Sequence, residues 1–138
     1  MEVEVITNVE IRTNEVRLVN NRLEDGEYEI VPQYRRKTGM EGGRYYTELA
    51  VKVESTEDRK SPVELYVSIT GLFELQGRDG DYIEKFLQKN AVQILLPYLR
   101  SIVSNVLTSA MLPPLILPVL NPFTLFPDEE EQTEDTTA

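Results

Sequence analysis

The chain of 138 residues has no histidine, no cysteine and no tryptophan. Without histidine there is no imidazole to act as a general base or to ligate a metal. Without cysteine there is no thiolate nucleophile, no disulfide and no thiolate zinc site. Catalysis would have to rest on carboxylates, tyrosine, lysine or serine, and no cofactor or metal is expected. Cations are also scarce: 14 Lys and Arg stand against 24 Asp and Glu, a net charge of −10. That balance disfavours nucleic acid, whose phosphates need clustered positive charge. No continuous run of 18 apolar residues reads as a membrane span, and Met1-Glu2-Val3-Glu4 lacks the basic-then-apolar layout of a signal peptide. The expectation is a cytoplasmic single-domain protein that is not an enzyme, long enough to bury roughly two thirds of its unfolded surface.

What charge there is lies unevenly. Asp128 to Ala138 reads DEEEQTEDTTA, with six acids and no cation, so the remaining 18 acids and 14 bases leave residues 1–127 at only −4. Such a run cannot bury enough apolar surface to offset its ordering entropy. It is expected to be a disordered acidic tail, 128–138, after a folded domain, 1–127. A solubilising role and a docking role for a basic partner both stand open.

The first half has the period of strands. Val3/Val5, Val9/Ile11 and Val16/Leu18 alternate within residues 2–20, with a kink expected near Thr13-Asn14. Residues 27–37 form a weaker candidate in which Pro32 points to an edge strand. After the turn residues Gly39 to Gly43, Tyr45, Thr47, Leu49, Val51 and Val53 share one face. Val63, Leu65, Val67 and Ile69 do the same in a fourth strand that ends near Leu75. The expected architecture is α+β: a four-stranded antiparallel sheet, meander or Greek-key-like, covered by C-terminal helices.

The second half has the period of helices. Asp81-x-x-Glu84 has the form of a capping box, and Asn90 is placed to end that helix or cap the next. Residues 91–112 hold 14 apolar residues in 22, interrupted by Pro97, which should kink the helix or mark its start. At 100° per residue the apolar arc covers roughly 220°, about twice what one packed face needs. Ala91, Leu95, Leu99, Ile102 and Val106 form one stripe; Val92, Leu96, Val103, Leu107 and Ala110 form a second. A sheet is expected to cover the first stripe, leaving the second for self-association or for another element of the same chain.

Leu112 to Pro127 carries five prolines among bulky apolar residues. Proline density excludes a regular helix and most ladder pairing, so an extended segment is expected. It reads either as a strap packed on the core or as one wall of an apolar groove, and the two are compatible. Other motifs lead to no chemistry. Asp79/Asp81 and Glu24/Asp25 read as turn charges, and Gly39–Gly43 lacks the phosphate-loop spacing. Arg35-Arg36-Lys37 reads as a solvated strand face, and no acidic set has calcium-loop spacing.

The order of elements and three motifs resemble the SecB family of export chaperones. Asn90 to Arg100, NAVQILLPYLR, resembles the family's N-I-L-F-P-Y-A-R stretch through Leu95 or Leu96, Pro97, Tyr98 and Arg100. Leu112 to Phe126, LPPLILPVLNPFTLF, resembles F-P-x-L-x-L-A-P-V-N-F-x-x-L-F, and Gly71-Leu72-Phe73 resembles G-G-I-F. The resemblance is specific only in the second half of the chain. It implies a homotetramer, a dimer of dimers with the long helices at its centre, here through Val92, Leu96, Val103, Leu107 and Ala110. It also implies ATP-independent binding of unfolded preproteins in long apolar grooves. Their lining here would be Leu72, Phe73, Tyr82, Phe86, Leu112, Leu115, Ile116, Leu117, Val119, Leu120 and Phe123. A chaperone dedicated to one client, such as an antitoxin or phage protein, and a structural adaptor oligomer are the alternatives. The family's acidic contact surface for the SecA motor includes a Leu-x-Glu pair on the fourth strand; the aligned positions here are Glu64 and Tyr66, and only Glu15, near the end of the first strand, supplies a matching acid. Where the family continues into a C-terminal helix, this chain has Pro127 and the acidic run.

Overall fold

The computed structural model describes residues 6–75, 80–113 and 125–126. Four strands come first: β1 (Ile6–Asn20), β2 (Gln33–Glu41), β3 (Arg44–Val53) and β4 (Val63–Leu75). They form one antiparallel sheet in the order β1-β4-β3-β2. Strands β2 to β4 meander, and β1 lies beside β4, so the connection 21–32 crosses from one sheet edge to the other, as in a Greek key.

Local chemistry explains the strand limits. The register of β1 against β4 shifts between Thr13 and Glu15, where the kink was expected. The extra residue, Asn14, donates from Nδ2 to Ser68 Oγ (3.1 Å) and Thr70 Oγ1 (2.7 Å), so the bulge is held by the neighbouring strand. Strand β2 starts after Pro32 and runs through Gly39, later at both ends than the alternation suggested. The turn is Gly42-Gly43 alone, both left-handed at φ 58° and 80°. Two consecutive positive φ values suit a two-residue hairpin, and glycine supplies them without strain.

The helical half is continuous. Helix α1 (Gly80–Lys85) passes through a single π turn, Phe86–Asn90, into helix α2 (Ala91–Ser109). Asp81 lies inside the first turn, where its charge complements the helix dipole, and is not the cap. Asn90 is helical, with no side-chain cap bond. In the π turn the Ala91 N–H donates to the Phe86 carbonyl, and the next two carbonyls turn to the sheet. Leu87 O accepts from Thr47 Oγ1 (2.7 Å) and Gln88 O from Arg36 Nη1 (2.8 Å). Pro97 sits within α2 on its exposed side, as does Gln93, the residue whose carbonyl a Pro97 N–H would otherwise have met. The helix stops in a Schellman turn: Leu112 N–H donates to Leu107 O and Met111 N–H to Thr108 O, both 3.0 Å, with Met111 left-handed at φ 60°.

The main core lies between α2 and the inner face of β3 and β4, and it corrects the two-stripe expectation. Val92, Leu96, Val103 and Leu107 are buried within this one chain, together with Ala91, Leu95 and Leu99. The buried side chains fall in one arc of about 160° at 100° per residue. The twisted sheet packs against that arc, and Ile30, Tyr34 and Leu125 pack against the core the two form. Ala110 is exposed at the helix end. Residues Gly80–Ser109 have the length and apolarity of a membrane-crossing helix, but the apolar arc of α2 is already packed on the sheet. Gly71 is packed too tightly for a side chain: a Cβ there would lie 2.8 Å from Phe73 Cζ and 3.0 Å from Leu95 Cδ2.

Candidate functional site: an apolar groove under the crossing connection

The connection 21–32 is pinned where it leaves β1. Asn21 N–H donates to Pro62 O (2.9 Å) and Asn21 Nδ2 to Ser61 O (3.0 Å). Arg22 is left-handed at φ 52°, with its N–H on Asn20 Oδ1 at 2.8 Å. From that anchor the chain arches over the ends of β3 and β4 and leaves a cavity of about 500 Å³ beneath it. Leu23, Tyr28 and Ile30 come from the connection, Val53, Pro62 and Val63 from the strand ends, and Leu107, Leu112 and Pro113 from the end of α2. Arg22, Glu24 and Asp25 stand at its rim. An apolar interior with polar groups at the mouth suits side chains of a peptide whose backbone stays at the edge.

Among the residues expected to line a groove, Leu112 is there, half-buried at the cavity wall. Leu72, Phe73 and Phe86 are not. All three are buried. Phe73 and Phe86 meet edge to face, with centroids 5.3 Å apart and planes at 83°. With Leu87 and Ala91 they form a second core cluster, against which the half-buried Tyr82 packs. The rings attach the first helical turns to the sheet, a role that helical spacing cannot distinguish from client contact. Leu115, Ile116, Leu117, Val119, Leu120 and Phe123 lie outside the described residues, as does the acidic run 128–138.

The residues that sequence reasoning missed are those of the connection. Tyr28 and Ile30 lie in residues 27–37, expected as an edge strand, and Leu23 stands before the Asp25-Gly26 turn, so no local pattern marked the three as cavity lining. A second omission lies at the other end of α2. Arg36, read as part of a solvated basic face, points inward: its guanidinium lies 4.7 Å from the Phe126 ring centroid while donating to Gln88 O. Lys89 Nζ donates to Phe126 O at 3.2 Å. Leu112 thus packs on the core by the last turn of α2, and Phe126 beside the turn before its start. Tyr34, on the same inner face of β2, has a buried hydroxyl with no hydrogen-bond partner. Burial pushes its pKa up, and the positive charge of Arg100 opposes that shift.

Glu15, Glu64 and Tyr66 all lie on the outer sheet face. Glu15 is held by Arg17 at 2.6 Å, and Arg17 also lies over the Tyr66 ring at 5.2 Å. The acid is thereby partly neutralised. Among the described residues no cluster of three acids could hold a metal ion.

The fold is a Greek-key sheet backed by one long helix, with an open apolar groove where the crossing connection meets the helix end: an α+β binding scaffold. The family model of the preprotein translocase subunit SecB matches residues 31–133, and the chain belongs to the SecB family. Protein-export protein SecB of Neisseria meningitidis is 30% identical over 113 residues, 79% of this chain and 76% of that one. Protein-export protein SecB of Dichelobacter nodosus is 29% identical over 107 residues, 76% and 68%. The protein MJ0357 of Methanocaldococcus jannaschii is 37% identical over 84 residues, 61% of this chain; the match spans about half, 54%, of that relative's length. In fold the chain is similar to the Mycobacterium tuberculosis SecB-like chaperone Rv1957, solved with a peptide from the HigA1 antitoxin. The TM-score is 0.69 at 14% identity, covering 85% of this chain and 90% of that one.

Proposed function

We propose that the chain is an ATP-independent holdase that binds unfolded polypeptides, with residues 1–127 as the chaperone domain. The observation that carries this is the cavity of about 500 Å³ lined by Leu23, Ile30, Val53, Leu107 and Leu112. Val53 and Leu107 there belong to the buried core, while Leu23, Tyr28, Ile30 and Leu112 are only half-buried and leave apolar surface for a partner's side chains. Many shallow contacts of this kind give sequence-tolerant affinity, which a holdase needs and an enzyme pocket does not. No reaction is assigned to the chain, and its place of work is the cytoplasm.

Two partner readings follow. Export is supported by the kinship with the Neisseria and Dichelobacter proteins and would use SecA as a partner at Glu15, Glu64 and Tyr66. Dedication to one client is supported by the antitoxin peptide bound to the mycobacterial neighbour and by the Arg17 that neutralises Glu15. Copies assemble, in this reading, through β1 and not through the helix stripe. Strand β1 is a sheet edge, and its inner-face Val9 and Val16 remain 43% and 40% exposed. A strand edge can pair with its own copy about a two-fold axis, and a dimer of dimers would follow.

The test is light scattering from a chemically unfolded precursor diluted into equimolar chain. The expected result is a delayed rise, lost in Leu23→Asp, a cavity residue outside both core clusters. No delay with the unaltered chain overturns the holdase reading. A screen of bound polypeptides separates the partner readings: many precursors mean export, one dominant species means dedication.

A further inference from the structure

The outer sheet face carries six cations, and four of them have a glutamate. Arg12 pairs with Glu41 (2.9 Å), Arg17 with Glu15 (2.6 Å), Arg44 with Glu10 (3.7 Å) and Lys52 with Glu54 (2.6 Å). The remaining two are Arg35 and Lys37, both exposed on edge strand β2. No carboxylate among the described residues lies within ion-pairing distance of either. Glu48 is opposite Lys37 in register, but its carboxylate accepts from Ser68 Oγ at 3.2 Å. Between Arg35 and Lys52 the small Ala50 leaves a shallow depression of about 230 Å³, bordered by Gln33 and Tyr66.

The position of Phe126 gives this gap its meaning. Arg36, the residue between the two unpaired cations, holds the Phe126 ring on the inner face of the same strand. Phe126 therefore sits beside the sheet edge formed by β2, whose outer side is cationic, and Pro127-Asp128-Glu129-Glu130-Glu131 follow it in sequence. Five residues reach at most about 17 Å, and the inner and outer faces of one sheet edge are closer than that.

We propose that Asp128–Glu131 of this chain's own acidic segment docks on the outer face of β2, against Arg35, Lys37 and the depression at Ala50. The tether makes this an intramolecular equilibrium with a millimolar effective concentration, so weak exposed ion pairs suffice to populate it. Docking supplies the two missing carboxylate partners and covers an edge that would otherwise be open to strand pairing. It depends on ionic strength, because at 1 M salt the Debye length falls to about 3 Å. The inference is independent of the holdase reading.

The chain has no cysteine, so engineered pairs report cleanly. Gln33→Cys with Gln132→Cys keeps every charge, and Val19→Cys with Gln132→Cys places the first thiol at the opposite edge. In the full-length chain at low salt, the first pair is expected to form an intramolecular disulfide at least tenfold faster than the second. That advantage should disappear in 1 M NaCl, and also on adding Arg35→Glu and Lys37→Glu, with the thermal midpoint unchanged. Equal rates for the two pairs, an advantage that survives salt and charge reversal, or cross-linking only between copies would each overturn the proposal.

Discussion

The hydroxyl of Thr47 donates a 2.7 Å hydrogen bond to the carbonyl of Leu87, a strand side chain satisfying a helix backbone from which the helix has withdrawn its own donor. The two residues are 40 apart in sequence and both are buried. A π turn leaves carbonyls misaligned with the next N–H groups, and in an apolar layer each must find another partner. Thr47→Val keeps the shape and removes the donor. A loss of about 1–3 kcal/mol is expected, seen as a lower denaturant midpoint at unchanged slope. Thr47→Ser should retain most of the stability.

Gly71 offers the second measurement. Gly71→Ala places a methyl within 2.8 Å of Phe73 Cζ and 3.0 Å of Leu95 Cδ2, so the ring or the helix must shift. A cost of about 1–3 kcal/mol is expected, as for other overpacked cores. Gly71→Ala combined with Leu95→Val should recover part of it.

Met111 bears on the opposite sign. It is left-handed at φ 60°, is 93% exposed, and occupies the position after the helix where glycine is preferred. Met111→Gly removes the Cβ strain without losing packing. The expected gain is about 1 kcal/mol, read from the thermal midpoint.

Tyr34 makes stability depend on alkaline pH. Its folded pKa is raised by burial, more than Arg100 lowers it, so the folded state holds the phenol proton more tightly than the unfolded chain does. This contribution is fully present below the unfolded value near pH 10 and is lost as pH climbs through the raised folded value. Tyr34→Phe should flatten the stability profile above pH 10. At pH 7 it should be neutral or stabilising by up to about 1 kcal/mol, because the hydroxyl has no partner to lose. A stability profile across pH 8 to 11 for both chains checks the pair of effects.

The strands, the bulge at Asn14 and the long apolar helix were legible in the residues themselves. Alternation of period 2 and recurrence of period 3.6 are local properties, and a polar insertion into an alternating run is a local event. The likeness of NAVQILLPYLR and LPPLILPVLNPFTLF to the SecB family was equally a property of the chain as written, and the family match agrees with it. The assignment of apolar residues to partners was not legible. Val92, Leu96, Val103 and Leu107 have the same spacing whether they face a second copy or their own sheet, and only the packed chain shows that they face the sheet.

Arg36 gives the same contrast in one residue. In sequence it belongs with Arg35 and Lys37 as one basic run; in the fold it turns to Gln88 and Phe126 while its neighbours remain outside. The groove under residues 21–32 likewise exists only because β1 and β2 lie at opposite sheet edges and the connection must cross the strand ends between them. Periodicity determined which faces of each element are apolar. What those faces meet depended on the topology, because burial is a relation between segments far apart in the chain.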